Sequence, residues 1–328
     1  MRTHLFIILA VTALFVNGCA APKIKLFPDA TDPLREFTLQ GTEKGKVLVI
    51  PIRGIISDAP RKWFPRARPS IVQEIVSQLR LAEKDEEVRA VLLKIDSPGG
   101  STTASDVLYH EIMAFKKRTG AKVIVAMMDV AASGGYYVSL PADFILAHPT
   151  TVTGSIGAIF IRPKVTGVMG KIGLDIEVNK SGKNKDMGSP FRQTTEEEGK
   201  ILQGLTDELG GRFVGLVAKH RKLDQKPLAD ISTACVYLAK EALQLGLVDK
   251  IGYLSDAVMQ AKKLSGLPED TKVVVYRRTE YPDDNLYNTS TTQYSGSGLS
   301  LIDLGLPDSM TSLRTGFYYL WLPAAGRN

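Results

Sequence analysis

The chain has 328 residues, of which 44% are hydrophobic and 23% are charged, which is an ordinary globular composition sufficient for one α/β domain with a substantial core. The formal net charge of +6 favours contact with acidic lipid headgroups. Because the basic residues are spread out and no nucleic-acid motif accompanies them, DNA or RNA binding is not expected.

The N-terminus has the features of an export signal. A short cationic start, Met1–His4, precedes the apolar run Leu5–Val16. This run is shorter than the roughly 20 residues that a membrane-spanning helix needs, so it reads as a secretory signal. The following Val16-Asn17-Gly18-Cys19 resembles a lipobox. We therefore predict a signal peptide over 1–18, lipidation of Cys19 and a lipid-anchor linker over 19–45.

Such a protein is expected in a bacterial cell envelope, attached to a membrane and facing the periplasm or another extracytoplasmic side. Ala20 after the cysteine hints at the outer membrane of a Gram-negative cell. Asn17 is unusual in a lipobox, so a plain cleaved signal and an uncleaved anchor stay open as alternatives.

The first predicted strand is Lys46–Ile56, and an amphipathic helix is predicted over Ser70–Glu83. A second buried strand, Val91–Ile95, ends in Ser97-Pro98-Gly99-Gly100, and a helix is predicted over Thr102–Lys117. A Gly-rich turn at this place can point backbone N–H groups into a crevice at the carboxyl end of a sheet. An ordinary strand-to-helix connection is the alternative interpretation of this turn.

The next strand, Lys122–Met128, leads to Ala131-Ala132-Ser133-Gly134-Gly135 and a helix opening at Tyr136. A strand-to-helix turn exposes a serine hydroxyl near the positive end of the helix dipole, where backbone N–H groups can receive negative charge. The motif therefore makes Ser133 a candidate nucleophile. Without further evidence, small-Ser-Gly-Gly is also typical of a tight turn that packs a helix on a sheet.

The remaining elements continue the alternation of strands and helices, which predicts a parallel sheet with crossover helices. Thr195-Glu196-Glu197-Glu198 resembles a capping box. The later predicted elements are a strand over Asp143–Ala147 and helices over 195–219, 239–245 and 254–264.

A serine nucleophile needs a base, and histidine is the usual one. His148, at the end of a predicted strand, is the histidine candidate, whereas His220 lies among basic residues and is better explained by a solvated face. His4 and His110 lie in the N-terminal segment and inside a predicted helix.

Lysine is the alternative base, and it must be neutral before it can accept a proton, which requires its pKa to fall by roughly three units. The turn-rich segment 179–192 contains Lys180, Lys183, Lys185 and Arg192, and spacing does not choose among them. A solvated basic loop is the alternative interpretation of this segment.

The C-terminal part, 279–328, differs in composition from the rest. Residues 283–297 are polar and predicted to be flexible, and Gly316–Pro323 is aromatic and apolar. We predict a tail that packs on its own domain or on a neighbour, contacts a membrane, or enters the active site as a self-inhibitory peptide.

Taken together, these segments resemble the S49 family of serine proteases, the signal peptide peptidases of the single-length bacterial type. The resemblance covers about residues 46–265 and rests on five motifs in the family's order. They are Asp96-Ser97-Pro98-Gly99-Gly100, Ala132-Ser133-Gly134-Gly135-Tyr136-Tyr137, Thr151-Val152-Thr153-Gly154-Ser155-Ile156-Gly157, the segment 183–192, and Ala242-Leu243-Gln244-Leu245-Gly246-Leu247-Val248-Asp249.

The resemblance implies a ClpP/crotonase-like β-α superhelix over 46–278 and a Ser-Lys peptidase. Ser133 would be the nucleophile, Lys185 the general base, and the N–H groups of Gly134 and Gly100 the oxyanion donors, with Gly99 as the alternative to Gly100. Serine and lysine would come from adjacent protomers of a homo-oligomer. No cofactor or metal is implied.

The expected activity is membrane-anchored cleavage of remnant signal peptides or other small apolar peptides, in a pocket of small and aliphatic side chains. One rival is a scaffold that keeps the fold without catalysis. A second is a crotonase-type acyl-CoA enzyme, which the export signal disfavours.

The segment 230–238 is less glycine-rich than the family pattern, and Cys235 in it is predicted to be a buried small hydrophobe rather than a catalytic thiol.

Overall fold

The computed structural model describes residues 32–60, 69–281, 284–289 and 315–324. The described strands are β1 Arg35–Gln40, β2 Glu43–Arg53, β3 Val88–Ser97, β4 Gly99–Ser101, β5 Lys122–Ala132, β6 Phe144–Ala147, β7 Val152–Gly154, β8 Ile159–Ile161, β9 Val236–Leu238, β10 Lys250–Ile251, β11 Thr271–Arg277 and β12 Gly316–Leu320. The described helices are α1 Ile71–Ala82, α2 Thr102–Thr119, α3 Gly134–Tyr137, α4 Thr166–Ile172, α5 Glu196–Arg221, α6 Gln225–Ile231, α7 Ala239–Gln244 and α8 Leu254–Leu264, followed by a 3-10 turn at Leu322–Ala324.

The main sheet has the order β1-β11-β2-β3-β5-β6-β10, with β7 and β9 attached beyond β5. The central strands β2, β3 and β5 pair in parallel, and β11 and β6 extend the parallel arrangement on either side. Their apolar runs are buried on both faces of the sheet, as parallel strands require when helices cover them. The predicted parallel α/β sheet is confirmed.

Helices cover both faces of this sheet. Side chains from α1, α2, α3 and α5 form the larger core, and α8 packs on the opposite face. The predicted helix bounds agree closely with those observed, and the Thr195–Glu198 capping box is present at the start of α5. The ends of these helices can be predicted from the local sequence, because the capping residues and the spacing of the apolar residues indicate the same first and last residues.

Two predicted segments are structured differently. Strand β1 lies inside the predicted linker 19–45 and pairs antiparallel with β11, so the sheet begins earlier than expected. Within the predicted tail, Gly316–Leu320 forms β12, a paired strand. The predicted signal peptide, Cys19 and most of the polar stretch 283–297 lie outside the described residues. None of the helices that the structure describes combines the length and the hydropathy that a bilayer-spanning segment needs.

The prediction for Cys235 is wrong, because its side chain is exposed. The residue follows α6 in a turn where Ala234 adopts a positive φ of 58°. The turn is held through its backbone, since the Ser155 N–H donates to the Cys235 carbonyl oxygen at 2.7 Å. Anchoring by the main chain leaves the thiol outside, where it accepts a hydrogen bond from the Thr233 hydroxyl.

Candidate active site

Ser133 occupies the turn between β5 and α3 in a backbone conformation that is rare for serine. Its φ is 53° and its ψ is −118°. The turn is fixed by hydrogen bonds from the Ser133 N–H to the Gly154 carbonyl oxygen and from the Tyr137 N–H to the Ser133 carbonyl oxygen, both 2.8 Å. A non-glycine residue held at positive φ stores strain that the surrounding structure must offset, and such strain concentrates at active sites.

The glycines after Ser133 allow the turn to approach its neighbours. A Cβ at Gly135 would lie 2.5 Å from the Ser97 carbonyl oxygen, and one at Gly134 would lie 2.5 Å from Ser105 Oγ. Larger residues would push the turn away from the end of β3. The small residues of the motif therefore bring the serine turn against the second Gly-rich turn, as the sequence predicted.

Ser97 organises that second turn. Its Oγ donates to the Gly54 carbonyl oxygen at 2.7 Å and accepts from the Gly99 N–H at 3.1 Å. The Gly99 N–H is thus already bonded within the turn, whereas Gly100 belongs to β4 and directs its N–H out of the turn. Of the two glycines considered as oxyanion donors, the geometry favours Gly100.

The two turns touch at Gly99 and Gly134. Gly99 has a φ of 101°, and a Cβ there would lie 2.6 Å from the Gly134 nitrogen. The backbones of the two strand ends are therefore in close contact, and each carries one of the predicted oxyanion donors. Ser133, Gly134 and Gly100, predicted as parts of one site, therefore lie together.

Lys185 lies in the loop that precedes α5, and its side chain is exposed. Among the residues that the structure describes, no hydrogen bond joins Lys185 to Ser133. The loop is shaped by its own turns, with the Lys185 N–H donating to the Gly182 carbonyl oxygen at 3.1 Å and the Met187 N–H donating to the Asn184 carbonyl oxygen at 3.0 Å.

An ion network anchors this loop beside Lys185. The Arg192 guanidinium donates to both carboxylate oxygens of Asp186, at 2.7 and 2.8 Å, and to Glu198 at the start of α5. Lys180 Nζ donates to the same Asp186 carboxylate at 2.6 Å. Sequence reasoning treated Arg192 only as one more basic residue, whereas its fork-shaped side chain suits bidentate pairing and fixes the residue next to Lys185.

This network predicts acid sensitivity. Hydrogen bonds from Arg192 lower the pKa of Glu198 to about 2 and lower that of Asp186 as well. A depressed carboxyl pKa stabilises the fold above the unfolded pKa of about 4.3 for Glu and 3.9 for Asp, and this contribution is lost as the pH falls through the folded values.

We expect the difference in unfolding free energy between wild type and Arg192→Gln to shrink as the pH falls from 7 to 3. The measurement is urea unfolding of both proteins at the two pH values. A difference that stays constant with pH would contradict the assignment.

In the described part of the chain, neither His148 nor His220 has a hydrogen bond to Ser133. His148 Nδ1 lies 2.9 Å from the Thr150 hydroxyl, and its ring packs edge-on to Tyr253. His220 is half-buried rather than fully solvated, with Nε2 2.8 Å from the Tyr109 hydroxyl, and burial lowers its pKa. The prediction that His220 belongs to a solvated basic face is therefore wrong in part, because α5 packs that ring on α2.

A lysine with a lowered pKa occurs where sequence reasoning did not look for one. Burial, with Arg53 nearby, lowers the pKa of Lys94 to about 8. Its Nζ donates to the Leu286 and Tyr287 carbonyl oxygens at 3.2 and 3.0 Å. The neighbours of Lys94 on β3, Leu93 and Ile95, point into the larger core. Successive side chains of a strand point to opposite faces, so Lys94 lies on the face of the sheet away from α3. Its ammonium stabilises the segment after β11.

Comparison with known proteins decides the family. The model of peptidase family S49 matches residues 115–268, and the model of Clp protease matches residues 66–145. A candidate signal peptide peptidase, SppA, of Enterococcus faecium is 34% identical over 253 residues, which are 77% of this chain and 73% of that protein. The chain belongs to peptidase family S49.

Two longer relatives agree with this assignment. Protease 4 of Haemophilus influenzae is 32% identical over 82% of this chain, and the chloroplastic serine protease SPPA of Arabidopsis thaliana is 29% identical over the same share. This chain spans 43% and 39% of their lengths. The S49 protein described here is thus a serine protease with a ClpP-like α/β fold.

Proposed function

We propose that this S49 protease cleaves peptides with a Ser133–Lys185 dyad assembled from two adjacent protomers. Ser133 attacks the peptide carbonyl carbon, neutral Lys185 of the neighbour accepts the hydroxyl proton and returns it to the leaving amine, and the N–H groups of Gly100 and Gly134 stabilise the oxyanion. The observation that carries the proposal is the strained Ser133 turn in contact with the second glycine turn.

An exposed apolar surface next to the lysine loop supports assembly from several copies. Residues 168–178 include large apolar side chains with exposed fractions between 40% and 68%. Exposed apolar side chains concentrated in one segment are typical of a protein contact. The members are Val168, Ile172, Leu174, Ile176 and Val178. A second copy that covers this surface would have Lys185 at its boundary.

Mixing two inactive proteins tests the shared site. Ser133→Ala and Lys185→Ala variants are each expected to be inactive alone. When they are unfolded together and reassembled in equal amounts, about one quarter of the sites receive an intact serine from one protomer and an intact lysine from the next. The measurement is casein cleavage before and after mixing, with oligomer mass recorded alongside. Mixtures that stay inactive at an unchanged oligomer mass would refute the shared dyad.

We further propose that the protein is a lipoprotein anchored through Cys19 at an extracytoplasmic membrane surface, and that it removes remnant signal peptides or other small apolar peptides. The sequence of the first 19 residues supports the anchor, and the name of the Enterococcus relative supports the substrate class. Incorporation of labelled palmitate into wild type but not into Cys19→Ala tests the anchor. Equal labelling of both proteins would contradict it.

A further inference from the structure

Strand β5 bulges out of the main sheet just before the nucleophile. In the pairing of β3 with β5, Ile95 lies opposite Met127 and Ser97 lies opposite Ala131. An advance of two residues along β3 therefore matches an advance of four residues along β5, so the intervening part of β5 leaves the ladder. Bulges beside active sites redirect the side chains near them. The direction in which Ser133 points thus depends on how this bulge is held.

Two threonine hydroxyls hold the ends of the bulge. Where β5 leaves the ladder, Thr151 Oγ1 donates to the Met127 carbonyl oxygen at 3.0 Å. Where β5 returns, Thr153 Oγ1 donates to the Ala131 carbonyl oxygen at 2.6 Å. Both threonines are fully buried. Hydrogen bonds in such a place are costly to lose, because water does not replace the missing partner.

Thr153 and the next residue, Gly154, bind β5 on the two sides of Ala132. The Thr153 hydroxyl binds the carbonyl group of Ala131, and the Gly154 carbonyl oxygen accepts the Ser133 N–H at 2.8 Å. Two consecutive residues of β7 therefore fix the backbone just before the nucleophile and at the nucleophile itself. Of the two threonines, Thr153 is the one that acts next to the Ser133 turn.

Strand β7 is braced on its other side by β9. In this antiparallel pair, Thr153 lies opposite Tyr237. Gly154 is packed so closely that a Cβ there would lie 2.7 Å from the Cys235 carbonyl oxygen. Close packing of the backbone on both sides keeps β7 in one place, so the Thr153 hydroxyl is presented to β5 in a fixed position.

The Ser133 turn needs such a support because its backbone conformation is unfavourable. A serine with a φ of 53° persists only where the surrounding structure forces it. The bond from Thr153 acts upstream of the turn, at Ala131, and fixes the orientation in which β5 enters it. Without this bond the Ala131 peptide group would be able to rotate, and the Ser133 hydroxyl would move with it.

We propose that Thr153 is a positioning residue for Ser133, and that its hydroxyl holds the end of β5 in the orientation from which Ser133 attacks. Thr153 acts through the Ala131 carbonyl group and not on the substrate. The inference rests on the proposed peptidase function. It gives a physical role to part of the segment 151–157, which the sequence connected with the site only by resemblance.

Replacing Thr153 with valine tests the hydroxyl, because valine has nearly the shape of threonine and lacks the donor. For a peptide that the wild type cleaves, we expect Thr153→Val to lower kcat at least about tenfold, since a small misplacement of a reacting group costs up to about 10²-fold in rate. KM should change less than about twofold, because substrate binding is not altered. Labelling of Ser133 by a fluorophosphonate should slow by the same factor as kcat.

Two further variants separate positioning from loss of stability. Thr153→Ser keeps the hydroxyl and should retain kcat within about threefold of wild type. Thr271→Val is the matched control. Thr271 is also a fully buried strand threonine, and its hydroxyl donates to the Lys44 carbonyl oxygen in β2, at the far side of the main sheet from β7. Both valine variants should lose stability in urea unfolding, but Thr271→Val should keep the wild-type kcat and labelling rate.

The proposal is overturned if Thr153→Val has the kcat and labelling rate of wild type, or if Thr153→Ser is as slow as Thr153→Val. If Thr153→Val does not fold, Thr153→Cys takes its place. A thiol is a weak donor on a side chain that resembles serine in shape. Thr153→Cys should then be slower than Thr153→Ser, and equal rates would overturn the proposal.

The inference and the proposed function fail in different ways. If Ser133→Ala is inactive and Thr153→Val has the wild-type kcat, the peptidase function stands and only the role of Thr153 is wrong. If Ser133→Ala cleaves as fast as wild type, the peptidase proposal itself is wrong.

Discussion

Replacing Lys185 with alanine is expected to reduce casein cleavage by about 10⁴-fold or more, as is replacing Ser133, because a nucleophile and its base act as one unit. Lys185→Arg should be equally inactive, since a guanidinium cannot give up its proton at neutral pH. The readout is the initial rate of casein cleavage together with labelling of Ser133 by a fluorophosphonate.

The same loop offers a matched control. Lys183 is exposed and pairs with Glu197, so Lys183→Ala removes a lysine two residues from Lys185 without touching the proposed dyad. Exposed ion pairs contribute little to stability, and this variant should retain both activity and fold. Lys94→Ala examines the lysine with the lowered pKa and should also retain Ser133-dependent cleavage. Activity that is lost in Lys94→Ala and kept in Lys185→Ala would assign the base to Lys94.

The second large effect is expected at Gly99. Alanine there would have a φ of 101°, and its Cβ would lie 2.0 Å from the Tyr319 carbonyl oxygen of β12 and 2.6 Å from the Gly134 nitrogen, so β12 would have to shift and the two turns would have to separate. Separation moves Gly100 and Gly134 out of a common oxyanion site, and loss of one donor costs roughly 10²- to 10³-fold in rate. We expect Gly99→Ala to lower kcat for casein or a model peptide by at least this factor.

Gly120→Ala is the control for backbone strain alone. Gly120 ends α2 with a φ of 70°, and a Cβ there meets nothing within 4 Å. This variant should lose about 1 kcal/mol of unfolding free energy through the left-handed conformation and keep its activity. If Gly99→Ala were as active as Gly120→Ala, the close contact of the two turns would have no catalytic role.

The positions of the two turns explain why local reasoning places Ser133 and Gly100 of the candidate site near each other. Ser133 and Gly100 each follow a buried strand, and neighbouring parallel strands end at the same edge of a sheet. The two apolar strands and the turn residues that follow them were therefore enough to predict that Ser133 and Gly100 lie near each other. Lys185 was reached only through resemblance, because a loop rich in Lys, Gly, Ser and Asn has no periodicity that would place it in space.

The amino-acid sequence by itself determined the parallel sheet, the helix ends, the serine turn and the second glycine turn, because each depends on hydrogen bonds and apolar periods within a short segment. Only the tertiary structure decided that Cys235 faces outward, that Arg192 anchors the Lys185 loop, and that Tyr319 lies at Gly100. These outcomes depend on contacts between residues far apart in the chain, above all the insertion of β12 between β4 and β8. An aromatic, apolar segment indicates that a surface will be covered, but which surface it covers is set by the edges that the rest of the fold leaves unpaired.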